Sequence, residues 1–211
     1  MKKLSFILSL IAVLALVISL PIFNTKAAGS FTDVSGRYKE AVDHMVDRGY
    51  TKGISATQYG TDNQIMRLDA AVMIAKVLGF DESANSPSAG FTDVPKDRAW
   101  AVNALHKAGI INGKTATSFG SYQNMTRGEM AIILSSAYKL SASSDKLPFT
   151  DVSKRYTTAV AALLEAKITN SKEPAKFGTG DNITRGEFAL FIFKADNLSK
   201  DMTPPEVISV D

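Results

Sequence analysis

The sequence predicts a mainly helical fold made of three helix-loop-helix repeats, and two observations carry that prediction. Phe-Thr-Asp-Val occurs at residues 31–34, 91–94 and 149–152, and at one constant distance beyond each copy stands an arginine, Arg67, Arg127 or Arg185. Between these marks the apolar residues recur at i, i+3 and i+4 rather than alternating, which is the period of a helix. A register repeated without insertions argues for one structural unit used three times.

The chain begins with a segment that stands apart from the repeats. Met1-Lys2-Lys3 precedes an almost wholly apolar run from Leu4 to Leu20, and Pro21 and the small residues Ala27 and Ala28 follow. This is the pattern of a secretory signal peptide occupying residues 1–27. An uncleaved membrane anchor is the alternative, because the run approaches the shortest length that spans a bilayer. With the signal removed, no stable membrane insertion is expected.

Cleavage also changes the charge. The full chain carries 24 Lys and Arg against 21 Asp and Glu, and the leader takes Lys2, Lys3 and Lys26 but no acid, leaving 21 of each sign. A formally neutral chain lacks the clustered positive charge that displaces counterions from phosphates, so nucleic acid is not an expected partner. The sequence has no Cys. The exported chain therefore holds itself together by its cores, and thiolate metal sites and a cysteine nucleophile are excluded.

Three units follow, at residues 31–80, 91–140 and 149–198, joined by Ser-, Pro- and Gly-rich loops. Each opens on Phe-Thr-Asp-Val, too short for more than an extended lead-in, whose Asp (Asp33, Asp93, Asp151) has the chemistry of a turn or helix start. A first helix is expected next, with the stripes Val42, Met45, Val46; Val102, Leu105, His106; and Val160, Leu163, Leu164. Gly49 and Gly109 stand where this helix should stop, and Lys167 holds the matching place in the third unit. The loop beyond carries an aromatic-Gly pair at one offset, Tyr59-Gly60, Phe119-Gly120 and Phe177-Gly178. Such an aromatic is either a plug over the core or a platform for a ligand, and the plug is favoured.

The second helix begins at the arginine. Thr126-Arg-Gly-Glu129 and Thr184-Arg-Gly-Glu187 fit a capping box, which makes Thr the N-cap and Arg the first helical residue. Met66-Arg-Leu-Asp69 lacks the capping hydroxyl, so the first unit should start this helix less firmly, by ~1 kcal/mol. Beyond the caps run Ala70, Met73, Ile74, Val77; Met130, Ile133, Leu134, Ala137; and Phe188, Phe191, Ile192, Ala195. Val72, Ile132 and Leu190 widen these faces, so the second helices are expected to bury against one another.

A cation at the first position of a helix opposes the macrodipole. Three in one register require a reason. Either each Arg pairs with a repeat Asp or the neighbouring Glu, or guanidinium and free helix-start N–H groups together receive an anion. The physics leaves these two about even.

Phe-Thr-Asp-Val, the helix after it, the aromatic-Gly loop and Thr-Arg-Gly-Glu, in that order and recurring over 31–198, resemble the S-layer homology domain. That resemblance implies a non-enzymatic module whose three repeats pack as a pseudo-threefold helical spindle. It implies anchoring of an exported surface protein, of S-layer type, by binding secondary cell-wall polysaccharide through its pyruvate ketal, with Arg67, Arg127 and Arg185 as the ligand-binding residues. Other copies in a surface lattice are a further expected partner, and the expected location is outside the cell, at the wall. No cofactor is expected. The first helix departs from the family pattern, with Tyr38 and Tyr156 where a Trp is common and Arg98 with a displaced Trp100 in the second unit. Unit one also departs from Thr-Arg-x-Glu, so Arg127 and Arg185 are favoured over Arg67 and three unequal grooves are expected.

Other chemistry is poorly supported by the residues. His44 and His106 fall at different offsets, which suits packing better than catalysis or a metal. Asp62-Asn63 and Asp181-Asn182 lack EF-hand spacing, so no metal site is expected. A glycosidase needs a singular carboxylate pair, and the triplicated acids all have structural explanations. A helical-repeat protein-interaction module of the envelope is the alternative to glycan anchoring. Thr203-Pro-Pro-Glu-Val-Ile-Ser-Val-Asp211 leaves the helical pattern, and residues 199–211 read as a linker or the start of a further domain.

Overall fold

The fold is a closed ring of helix pairs, seen in a computed structural model that describes residues 31–83 and 85–201. The expected signal peptide and the chain beyond Asp201 lie outside the described residues. Six helices occur among the described residues, two per repeat: α1 (Gly36–Asp47), α2 (Arg67–Val77), α3 (Ala99–Lys107), α4 (Arg127–Ala137), α5 (Thr157–Glu165) and α6 (Arg185–Asp201). Among the described residues there is no extended sheet, only isolated bridges, and no helix is long and apolar enough to cross a membrane. The mainly α architecture matches the periodicity that predicted it.

Closure comes from how the repeats pair. The second helix of each repeat packs on the first helix of the next, α2 on α3 and α4 on α5, and α6 returns to α1. The second helices are buried as expected, but their main partner is the neighbouring repeat's first helix rather than one another. A stripe on a fifty-residue unit is too small a core by itself, and pairing across repeats supplies the missing wall.

At the centre the segments leading into α2, α4 and α6 bond in a cycle. The Ile65 N–H donates to Ile183 O at 3.0 Å, Met125 N–H to Ile65 O at 2.9 Å and Ile183 N–H to Met125 O at 3.0 Å. These three side chains are fully buried. Their buried backbone groups are thus satisfied by one another, and each repeat depends on both others.

The repeat Asp does other work than the helix start expected of it. No side-chain cap is made at the N-terminus of α1, α3 or α5. Instead Asp93 accepts the N–H groups of Phe119, Gly120 and Ser121 at 2.7, 2.8 and 3.0 Å. Asp33 does the same for Tyr59, Gly60 and Thr61, and Asp151 for Phe177, Gly178 and Thr179. A carboxylate can take several donors, so one side chain ties the start of each repeat to its aromatic-Gly loop.

The aromatic of that loop is a plug. Tyr59, Phe119 and Phe177 are 0% exposed, and Phe31, Phe91 and Phe149 pack on them with ring centroids 5.9, 5.8 and 5.7 Å apart. Tyr59 brings a hydroxyl into this position, and that oxygen is buried without a hydrogen-bond partner. Burial pushes the Tyr59 phenol up to about 12. An unpaired buried hydroxyl opposes folding, so Tyr59→Phe should raise stability by about 1 kcal/mol, read as a higher denaturant midpoint at unchanged m-value.

Each first helix ends on a left-handed residue: Gly49 at φ 72°, Gly109 at 70° and Lys167 at 56°. Glycine takes that conformation without a Cβ penalty, whereas lysine does not. Lys167→Gly should therefore stabilise the chain by about 1 kcal/mol, measurable by thermal unfolding.

Candidate functional site

The three arginines are the first residues of α2, α4 and α6, where the capping pattern placed them. Around Thr126 and Thr184 the capping boxes are complete: Thr126 Oγ1 accepts Glu129 N–H at 3.3 Å, Thr184 Oγ1 accepts Glu187 N–H at 3.2 Å, and both Glu carboxylates return to the Thr N–H. Met66 makes no such cap.

The helix starts are not free to bind an anion. Arg67, Arg127 and Arg185 donate their N–H groups to Gln123 O, Asp181 O and Asn63 O at 2.9, 2.8 and 2.8 Å. The next N–H groups, of Leu68, Gly128 and Gly186, go to Ser121 O, Thr179 O and Thr61 O. Each helix thus plugs its first donors into the neighbouring repeat's loop, which satisfies groups that would otherwise be orphaned. This corrects the picture of free backbone donors beside the guanidinium.

The glycine after the arginine follows from the same close approach. A Cβ at Gly128 would lie 2.6 Å from Thr179 Cγ2 and 3.1 Å from a Tyr156 ring carbon, and one at Gly186 would meet Thr61 and Tyr38 alike. At the remaining seam three residues differ together: buried Leu68 stands for the glycine, Ser121 for the threonine and Arg98 for the tyrosine. Arg98 Nη1 then reaches Asp69 Oδ1 at 2.6 Å.

The guanidinium groups cross from one repeat to the next. Arg67 donates from Nε to Phe119 O at 3.0 Å and from Nη2 to Asn112 O at 2.8 Å, and lies over the Phe119 ring. Its Nη1 is 3.6 Å from Glu129 Oε2. Arg185 repeats this on the first unit, with Nε to Tyr59 O at 3.0 Å, Nη2 to Thr51 Oγ1 at 3.3 Å and the Tyr59 ring beneath. Arg67 and Arg185 are only 6% and 7% exposed. Neither pairs with Asp33, Asp93 or Asp151, whose oxygens hold the loops.

Arg127 differs. It is half-buried, sandwiched between the rings of Phe177 at 4.7 Å and Phe191 at 4.9 Å. Its Nη2 reaches Thr169 Oγ1 at 2.8 Å and Asn170 O at 3.2 Å, while its Nε is buried without a partner. Burial pushes the Arg127 guanidinium below its ordinary value, and the carboxylates of Glu187 and Asp181 push back. It remains a cation.

Arg127 opens onto a cleft of about 230 Å³. Arg37 and Lys194 add two cations, Glu187 a single carboxylate, Leu190, Phe191 and Ile168 an apolar wall, and Thr169, Asn170 and Ser171 a polar rim. The three repeats all contribute to it. A net positive cleft with an apolar wall and scattered hydrogen-bonding groups suits a polar, anionic ligand with some nonpolar surface. Arg37 and Lys194 were not singled out from the sequence because their counterparts in the second repeat are Asp97 and Ser136, so no threefold pattern marks them.

The histidines pack rather than converge. His44 Nε2 lies 2.6 Å from Asp196 Oδ2, whose other oxygen accepts the Tyr138 hydroxyl at 2.5 Å, tying α1, α6 and the end of α4. His106 is edge-on to Phe91 at 5.5 Å.

Similarity to known proteins follows the repeats. The family model described as "S-layer homology domain" matches residues 90–131 and 148–189. The "Surface-layer 125 kDa protein" of Lysinibacillus sphaericus is 30% identical over 193 residues, covering 87% of this chain and 16% of that protein. "S-layer protein EA1" of Bacillus anthracis is 29% identical over 182 residues, covering 81% and 20%. An "Endoglucanase" of Bacillus sp. (strain KSM-635) is 30% identical over 120 residues, covering 55% and 13%. The chain thus spans no more than about a fifth of the length of these relatives.

Proposed function

The second and third repeats of this chain belong to the S-layer homology domain family, the first repeat shares their architecture, and from that premise we propose that the chain is a non-covalent anchor. It holds an exported surface protein on the cell wall by binding an anionic wall polysaccharide. The group it reads is a carboxylate such as the one a pyruvate ketal places on a sugar. The observation that carries this reading is the Arg127 cleft: a half-buried guanidinium stacked on two rings and opening onto the cleft, flanked by Arg37 and Lys194. Guanidinium binds carboxylate through two parallel N–H donors, and the ring faces of Phe177 and Phe191 hold it flat for that contact. The ketal methyl has the apolar wall to lie against. Arg67 and Arg185 sit at the same register in the other two grooves and are assigned a lesser part, because both are buried with Nε and Nη2 already bonded to oxygens of the neighbouring repeat.

The endoglucanase resemblance fits an anchor as well. The matched stretch is 13% of that protein, and on the present reading it is an attachment module there too. The activity in that name is not assigned to these repeats.

Co-sedimentation of the chain with purified wall glycan, before and after chemical removal of the ketal, tests the reading. Binding should depend on the ketal. Arg127→Ala should weaken it by about 10- to 100-fold, the loss expected for one charge-assisted bidentate contact. Arg127→Lys should recover only part, since an ammonium cannot make the paired contact. Equal retention by both glycan forms would sink the carboxylate assignment.

A further inference from the structure

One lysine, repeated in register, has two different destinations. Lys114 in the second repeat and Lys172 in the third occupy corresponding positions, and both stems cross the glycine after the plug, Gly120 or Gly178. Lys114 Nζ hydrogen-bonds to Glu129 Oε1. Glu129 is 7% exposed, and its other oxygen faces Arg67 Nη1 at 3.6 Å. The Arg67 groove therefore already contains a carboxylate, set against the guanidinium and held there by a lysine.

In the Arg127 groove the same lysine is turned away. Lys172 Nζ pairs with Asp181 Oδ2 at 2.6 Å, nine positions along the chain. Glu187, which caps Thr184 as Glu129 caps Thr126, lines the Arg127 cleft, and Lys172 is turned from it to Asp181. The residue matching Asp181 in the second repeat is Gln123, which has no charge to draw Lys114 aside. The third groove has neither feature: the lysine position is Ile54, the carboxylate is Asp69 bound to Arg98, and Arg185 is buried.

We infer that Asp181 is a positioning residue that keeps the Arg127 groove open by holding Lys172 away from Glu187, and that Lys114 and Glu129 close the Arg67 groove, so that each chain takes one anionic glycan. The inference rests on the function proposed above. A carboxylate arriving at Arg67 must displace an internal one that is already desolvated and paired, whereas the Glu187 carboxylate that lines the Arg127 cleft is not clamped by the corresponding lysine.

Isothermal titration of the full chain with the shortest ketal-bearing wall oligosaccharide reads the count directly. One site is expected for the unaltered chain. Lys114→Gln, and separately Gln123→Asp, should release the Arg67 groove and raise the count to two. Asp181→Gln should weaken the single site by about fivefold, the size of one partly exposed ion pair, and Asp181→Glu should restore it. Two or three sites in the unaltered chain, or a count still at one in both the Lys114→Gln and Gln123→Asp chains, would overturn the inference while leaving glycan binding intact. No binding by any form would instead sink the functional reading. In that event the lysine ammonium resonances still decide the geometry: the Lys114 protons should exchange more slowly than those of Lys172, and equal exchange refutes the clamp.

Discussion

Asp93→Ala should lower the stability of the chain by about 3 kcal/mol, more than a surface substitution does, because one carboxylate holds three backbone donors of a buried loop. The Phe119, Gly120 and Ser121 N–H groups and the Ser118 hydroxyl all point at it. Losing the acceptor orphans donors beside a fully buried plug, and the carbonyl of Phe119 is also the acceptor for Arg67 Nε. The damage therefore spreads from one repeat to the seam with its neighbour. Chemical denaturation monitored by circular dichroism measures the loss, and a change under 1 kcal/mol would show that water replaces the carboxylate at little cost.

The same contact sets an acid limit. Burial acts to raise the Asp93 carboxyl, but the N–H groups of Ser121, Phe119 and Gly120 outweigh it and hold the group at about 2, against an ordinary 3.8. Asp33 and Asp151 are shifted the same way by their own loops. Because the folded value lies below the unfolded one, the stabilisation is complete above about pH 4 and fades as the pH falls towards 2. Asp93→Ala should flatten that limb of the stability profile while leaving the neutral-pH ranking of other variants unchanged.

Local chemistry was legible and long-range chemistry was not. The repeat register, the helical stripes, the capping Thr and Glu residues and the left-handed stops at Gly49 and Gly109 all depend on neighbours within a turn or two. Each stands where the pattern put it. The role of Asp93 could not be read this way, since its partners are some 26 residues away in sequence and nothing near Phe-Thr-Asp-Val announces them. The helix starts misled for a related reason. Thr-Arg-Gly-Glu specifies which donors a helix leaves unpaired, but not that Asp181 O or Thr179 O of the next repeat will take them. The unequal grooves were anticipated from Met66 and Arg98, yet the sharper difference lies at Gln123 against Asp181 and at how deeply each arginine is buried, and only the packed repeats reveal that.

Arg185→Ala should destabilise the chain by about 2–4 kcal/mol, in contrast to Arg127→Ala, whose main effect is on glycan binding. Arg185 is buried where the third repeat closes on the first, bonded to Tyr59 O and Thr51 Oγ1 and lying over the Tyr59 ring at 5.0 Å. Truncation removes those bonds and the cation–π contact, and leaves a void between the start of α6 and the loop of Thr51 and Tyr59, on the seam where α6 returns to α1. Arg127 has a partly open face, so its loss lets solvent reach Thr169 and Asn170 and costs less folding energy. The two variants should therefore separate: Arg185→Ala lowers the melting temperature and speeds amide exchange at Ile65 and Ile183, whose bond crosses the same seam, while Arg127→Ala leaves both nearly unchanged and loses glycan. If Arg185→Ala instead keeps its melting temperature and loses glycan, Arg185 is a ligand residue and the seam is held by the helix faces alone.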